Sequence, residues 1–280
     1  MDLLSQLLSP ARLTEVVDVG ANPIDGDPPY LAMLRAGLCR VTGFEPQEAA
    51  LHELLRRKGP HERYLPHVVG DGAPATLRIC AAPGMTSLYE PDARVLALFA
   101  GFEQYGKVTA RLPVQTRRLD DLAEIRELDF LKIDIQGAEL AVFRGGRERL
   151  AHAVAVQTEV SFIALYENQP ALGEVDLELR DQGFVPHCSF AVKLWPISPY
   201  AAGGDPRRAL NQLLEMDLVY VRDFSRPERL DDEQLKHLAL VAHHCYQSYD
   251  LALRCVAQLE ERRALQAGAR QRYLALADLR

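Results

Sequence analysis

Along most of the chain, short apolar runs of strand length alternate with segments whose apolar residues recur at helical spacing. A strand, a helix and a further strand rejoin one sheet through a parallel crossover, so this rhythm predicts βα units and a mostly parallel sheet flanked by helices. The first strand is read at residues 16–20, rich in β-branched residues and ending in Gly20; the second, at 40–44, ends at Glu45-Pro46, where the proline helps start a helix over 47–57. A helix is also read around 30–36. Residues 62–118 are less regular, with strand-like pieces at 64–69, 76–80 and 113–116 between Gly/Pro turns. The βα rhythm returns with a strand at 130–135, a helix at 138–150, a strand at 154–160 and a helix at 174–182. Gly183 then suits a helix C-cap before short strands at 184–187 and 216–221.

From Asp231 onward the pattern is purely helical and free of proline, with Gly268 its one weak point, and predicts two or three helices. The expected organisation is therefore a Rossmann-like α/β domain over residues 1–225 and a helical C-terminal extension over 226–280. The extension carries an apolar face that includes Leu235, Leu238, Val241 and Leu253 and must be covered. Packing within the chain and a homodimer both satisfy that requirement.

Composition narrows the partners. A net charge of −7 argues against nucleic acid as the main ligand, because phosphate binding needs a basic surface. The five cysteines are scattered and include no CxxC pair, the pattern of reduced thiols in a cytoplasmic protein. No stretch approaches the roughly 20 apolar residues that span a bilayer, and the N-terminal residues lack the apolar run and cleavage site of a secretory leader.

The ends of the predicted strands carry the chemistry. In open α/β sheets ligands bind at the carboxyl ends of the strands, and the first βα turn is the usual nucleotide contact. Asp18, Gly20, Ala21 and Asn22 occupy that turn, although a tight turn alone would also explain them. Glu45, closing the second strand, is placed to accept hydrogen bonds from the vicinal hydroxyls of a ribose; the plainer alternative is a helix cap. The phosphate-cradling GxGxxG is missing, since the loop reads GANPIDG. A ribose-binding acid without a pyrophosphate loop suits an adenosine-containing cofactor such as S-adenosylmethionine. Asp71, in the irregular segment, is a further cofactor-side candidate.

The block FLKIDIQGAE at 130–139 is the most specific stretch. Lys132 and Asp134 share one face by period-two geometry, Gly137 makes the turn, and Glu139 opens a helix where the macrodipole favours a carboxylate. The three form either a buried ion network or a pair of carboxylates able to bind a hydroxyl and take its proton. Glu159, at the end of the next strand, is another acid at the rim. Tyr166, Gln169 and His187 are lesser candidates, and the adjacent His243 and His244 on a helix point apart, so no metal site is expected.

The chain resembles the FkbM-type methyltransferases through DVGAN, the FEP at 44–46, the LDDL at 119–122, FLKIDIQGAELAVFRGG at 130–146, QTEVSFIALYENQP at 157–170 and GEVDLELRDQGF at 173–184. The resemblance implies a class I methyltransferase fold, S-adenosylmethionine as donor, and O-methylation of a hydroxyl on a sugar or secondary metabolite, that is, a small-molecule or glycan acceptor. One departure stands in the first loop, where Ile24 replaces the expected glycine and Gly26 arrives two residues late. On this reading Asp134 is the base or the acceptor-orienting residue, with Glu139 and Glu159 as rivals. Asp18, Gly20, Ala21, Asn22, Glu45 and Asp71 hold the cofactor. The competing readings are a nicotinamide-dependent oxidoreductase and a methyltransferase fold kept only for binding.

Overall fold

The computed structural model describes residues 2–22, 26–201, 203–205 and 207–276. Its strands are β1 (Thr14–Val19), β2 (Cys39–Phe44), β3 (Glu62–Leu65), β4 (Val68–Val69), β5 (Pro74–Cys80), β6 (Val108–Arg117), β7 (Phe130–Ile133), β8 (Ala155–Ser161), β9 (Phe184–Leu194) and β10 (Leu213–Arg222). The helices are α1 (Leu3–Leu8), α2 (Leu31–Arg35), α3 (Glu48–Arg57), α4 (Ala93–Leu96), α5 (Phe102–Tyr105), α6 (Glu139–Arg144), α7 (Arg147–Leu150), α8 (Leu172–Asp181), α9 (Asp232–Tyr246), α10 (Tyr249–Glu261) and α11 (Ala269–Leu276).

Seven strands form the main sheet in the order β3-β2-β1-β7-β8-β10-β9. The first five are parallel, and β10 runs antiparallel to both β8 and β9. A small sheet, β4-β6-β5, fills the irregular stretch between β3 and β7. This is the mostly parallel, helix-flanked, Rossmann-like sheet expected from the βα rhythm.

Period-two alternation sorts the strands between two cores. Val17, Val19, Leu131, Ile133 and Val156 face one side, where Leu140, Val142 and Phe143 of α6 and Val175 and Leu179 of α8 cover them. Val16, Phe130, Ala155, Val219 and Val221 face the other, beneath α1, α2 and the three C-terminal helices. The apolar face of those helices is therefore covered within the chain. In α10 the buried residues Leu251, Ala252, Cys255, Val256 and Leu259 recur at helical spacing. Helix α9 starts at a capping box, in which the Asp231 carboxylate accepts the Gln234 N–H and the Gln234 side chain accepts the Asp231 N–H. Gly268, at φ +84°, lies just ahead of α11 and gives its N–H to Glu260.

In the irregular segment the strand read at 64–69 divides into β3 and β4, β6 extends over Val108–Arg117, and the short helices α4 and α5 were not anticipated; three further differences lie in the main sheet and its helices. The helix read over 138–150 is broken at Gly145-Gly146 into α6 and α7. Strand β9 continues to Leu194, where only 184–187 was expected, because pairing with β10 holds a half whose side chains are largely exposed and do not alternate in sequence. Helix α1 was not anticipated; Leu4 and Leu8 bury it in the core beneath the C-terminal helices. Among the described residues no helix is long and apolar enough to cross a membrane.

Candidate functional site

A cavity of 610 Å³ opens at the carboxyl ends of the central strands. It runs from Glu45 after β2 to Asp217 on β10, four strand spacings or about 19 Å across the sheet. Its first wall is the turn after β1. Gly20 has φ +78°, and a Cβ there would meet the Asp134 carbonyl oxygen at 2.0 Å, so only glycine lets the β1 and β7 turns close on each other. Backbone bonds lock these turns together: Gly20 and Ala21 donate to the Phe44 carbonyl at 3.0 and 3.2 Å, and Asp134 donates to the Val19 carbonyl at 3.0 Å.

The cavity floor is a row of polar side chains set by strand register. Asp18 pairs with Lys132 across β1 and β7, and Lys132 pairs with Gln157 across β7 and β8. These residues share the parity of the apolar Val16, Phe130 and Ala155, so the row that is greasy at mid-sheet turns polar at its end. The buried Asp18 accepts the Tyr30 hydroxyl at 2.5 Å on Oδ2, and its Oδ1 lies 3.3 Å from Lys132 Nζ without aligned hydrogen-bond geometry. Lys132 Nζ donates instead to the Gly20 carbonyl at 3.2 Å. Burial pushes the Asp18 carboxyl up, and the Lys132 charge and the Tyr30 hydroxyl oppose this. Burial lowers Lys132, but Asp18 and Asp134 outweigh it and hold the ammonium above its ordinary value.

At the β2 end, Glu45 is buried and lines the cavity while its Oε1 accepts the Gln47 N–H at 2.7 Å. Glu45 thus both contacts the start of α3 and faces the cavity. Burial raises its carboxyl, countered by N–H groups of Gln47 and Asn22. Ala21 and Asn22 line the same end, as do Gly26, Pro28 and Pro29; Ile24 lies outside the described residues.

Asp134 stands one residue beyond β7, half-buried and on the cavity wall. Its Oδ1 accepts Gln136 Nε2 at 2.9 Å. The other acids around this turn face elsewhere. Glu139, buried at the start of α6, turns back to accept the N–H groups of Ile135 at 2.9 Å and Gly137 at 3.2 Å, and burial pushes its carboxyl up to about 7. Glu159 is buried on β8, accepting Gln136 Nε2 at 2.8 Å and Lys193 Nζ at 2.9 Å. Burial, then Asp134 and Glu215, hold it well above the usual carboxylate range against the pull of Lys193. Neither Glu139 nor Glu159 lines the cavity. Asp71 is exposed and away from it, closing a turn onto the Ala73 N–H and the Thr116 hydroxyl.

Several site residues escaped the sequence reading. Gln157 had a signal, a polar residue inside an apolar strand at the parity of Lys132. Tyr246, whose hydroxyl donates to Gln157 Oε1 at 3.0 Å, had none, because its place depends on how α9 packs on the sheet. Phe190 is placed by a β-bulge: Ala191 pairs with Asp217 and Ser189 with Leu218, leaving Phe190 unpaired, 47% exposed and on the cavity wall. Gln136 is one of the few non-glycine residues with positive φ, at +58°, a conformation costing about 1–3 kcal/mol that persists only where surrounding contacts impose it. Of the lesser candidates, Gln169 binds the N–H groups of Leu165 and Tyr166 together with the Ser161 hydroxyl, His187 meets Ser248, and His243 meets Tyr273. Among the described residues no group of three His, Cys, Asp or Glu could hold a metal ion.

Residues 18–186 match the methyltransferase FkbM domain family. A stretch of 69 residues is 39% identical to the 2-O-methyltransferase NoeI of Sinorhizobium fredii, covering 24% of this chain and 28% of that protein. The chain thus spans little more than a quarter of the length of that curated relative. Among solved structures, magnesium protoporphyrin IX methyltransferase from Synechocystis PCC 6803 with bound SAM aligns over 79% of this chain and 76% of its own, at 12% identity and TM-score 0.38. Precorrin-6y C5,15-methyltransferase from Geobacter metallireducens aligns over 79% and 88%, at 12% identity and TM-score 0.35.

Proposed function

The chain belongs to the FkbM methyltransferase family of S-adenosylmethionine-dependent enzymes, and we propose that its acceptor is a hydroxyl on a sugar or small secondary metabolite. The observation that carries this reading is the single cavity with two unlike ends: buried Asp18 and Glu45 beside a glycine turn at one, and half-buried Asp134 with Gln157, Asp217 and Phe190 toward the other.

The residues present fit S-adenosylmethionine. Glu45 faces the cavity with Oε1 on the Gln47 N–H, and a carboxylate at this strand end suits the ribose hydroxyls. Asp18 Oδ1 is a buried acceptor lacking a hydrogen bond, suited to the cofactor's amino group, and the Gly20–Asn22 turn lets the backbone approach closely. When bound, the cofactor supplies a methyl group on a sulfonium that an in-line nucleophile can take.

The chain's own part is alignment and proton removal. Asp134, at the boundary between the two ends, accepts the hydroxyl proton as the new C–O bond forms, a contribution of roughly 10²–10⁴-fold. Lys132 sets a fixed positive charge between Asp18 and Asp134, balancing two carboxylates on one cavity wall. Phe190 offers an aromatic surface beside the polar Gln157 and Asp217, an amphipathic pairing suited to a ring that carries hydroxyls.

The test is calorimetric titration with S-adenosylmethionine and S-adenosylhomocysteine, NAD serving as control, followed by transfer of labelled methyl to a panel of glycosides and small alcohols. Saturable binding of the first two, weakened about tenfold or more by Glu45→Ala, is expected from the loss of a charged hydrogen-bond acceptor. Methyl appearing only on nitrogen or carbon acceptors would overturn the hydroxyl reading. Absence of binding would favour a fold retained for partner recognition.

A further inference from the structure

Gln136 is the most heavily wired side chain on the cavity wall, and its wiring converges on Asp134. Its Nε2 lies 2.9 Å from Asp134 Oδ1 and 2.8 Å from Glu159 Oε1, and its Oε1 lies 3.0 Å from the Tyr166 hydroxyl. The orientation of the amide follows from charge. Turned over, it would suit Tyr166, whose proton could then go wholly to the Met85 carbonyl at 3.1 Å, but it would set a carbonyl oxygen against the Asp134 carboxylate. Charge-assisted bonds are about twice as strong as neutral ones, so the nitrogen faces the acids.

The backbone is held as firmly. Ser87, brought over from the small-sheet segment, donates its hydroxyl to the Gln136 carbonyl at 2.7 Å. Glu139 binds the N–H groups on either side, those of Ile135 and Gly137. These contacts keep Gln136 at φ +58°, where a glycine would sit without strain. A glutamine at a backbone position that favours glycine directs attention to what its side chain does beyond the turn.

We propose that Gln136 is a positioning residue for Asp134: its amide holds Oδ1 and so leaves Oδ2 to meet the acceptor hydroxyl. The same amide ties that carboxylate to Glu159, which Lys193 from β9 anchors together with Glu215 from β10. Asp134 is thereby fixed from the neighbouring strand as well as from its own turn. This inference rests on the reading of Asp134 as the group that meets the acceptor. The charged and titratable groups around the amide are Asp134, Glu159, Lys193, Glu215 and Tyr166, with Lys132 on the far side of Asp134.

The experiment uses the full chain with S-adenosylhomocysteine bound. The side-chain carboxyl ¹³C signal of Asp134, assigned by its loss in Asp134→Asn, is compared at one pH between wild type, Gln136→Leu and Gln136→Gly. Removing the donor should displace that signal in both variants, because the carboxylate loses the hydrogen bond on Oδ1. In the transfer assay kcat should fall at least about tenfold, with cofactor affinity kept within about threefold, as a misplaced reacting group costs rate rather than cofactor binding. The glycine variant relieves the backbone, which offsets part of the three lost hydrogen bonds, so it should unfold no earlier than the leucine variant while losing the same activity. An unmoved Asp134 signal, or full kcat in both variants while Asp134→Asn is inactive, overturns the role of Gln136 and leaves Asp134 standing. Full kcat in Asp134→Asn overturns both.

Discussion

The two faces of the main sheet are built from alternate residues of the same strands, yet they end differently. On the α6–α8 face the row stays apolar to its end, through Val19 and Ile133. On the face beneath the C-terminal helices it turns from Val16, Phe130 and Ala155 to Asp18, Lys132 and Gln157 within one alternation. The first face packs under α6 and α8, and at its strand ends Val19 and Phe44 offer only apolar surface to the cavity. The second is sealed only at mid-sheet, and its open end is the cavity. The helices that cover the second face therefore also reach the site, through the Tyr246 hydroxyl on Gln157.

Changes that act through one face or the other test this division. The largest expected effect is on the open face, where Asp134→Asn should lower methyl transfer by roughly 10²–10⁴-fold with cofactor affinity little changed. Full turnover in that variant would remove Asp134 from the mechanism. Leu131 and Lys132 are neighbours pointing to opposite faces, and they separate stability from binding. Leu131→Ala should cost about 2–5 kcal/mol in urea unfolding while leaving the cofactor Kd alone. Lys132→Met should cost about 3–5 kcal/mol, by stranding Asp18, and should also weaken the cofactor. Equal binding in the two variants would show that the polar row has no part in the site.

A pH series isolates Glu139, which belongs to neither face. Its carboxyl is pushed up to about 7 from an ordinary 4.5, so the folded chain keeps a proton that the unfolded chain releases. Stability from this group is full below pH 4.5 and is lost as the pH rises to about 7. Glu139→Gln, which keeps an acceptor for the Ile135 and Gly137 N–H groups, should flatten that leg by an amount on the order of 3 kcal/mol. Identical pH–stability curves would mean that Glu139 stays ionised. The smallest expected effect is Tyr246→Phe, about 0.5–1.5 kcal/mol from one lost hydrogen bond. A shift in acceptor KM without a shift in cofactor Kd would place α9 on the acceptor side of the cavity.

The legible part of the site follows from strand position alone. Asp18, Glu45 and Asp134 each close a parallel strand, and in this architecture strand ends meet at one edge, so three separated acids could be placed together from their spacing. Glu139 and Glu159 look equivalent to them in sequence, but one turns into its own loop and the other is taken by Lys193 from β9, two strands away across β10. Asp71 sits in the segment whose rhythm was weakest, and there its neighbours could not be inferred.

By itself the sequence determined the order of the βα units, the two parities of the central parallel strands, the glycine turn after β1 and the helical character of residues 232–261, because these depend on local spacing and backbone freedom. Only the tertiary structure decided which carboxylate faces the cavity, which are consumed by backbone N–H groups, where the bulge delivers Phe190, and that the C-terminal helices cover the site-bearing face. Those outcomes depend on which distant strand or helix lies alongside, and a buried charge settles on the partner that packing brings within reach.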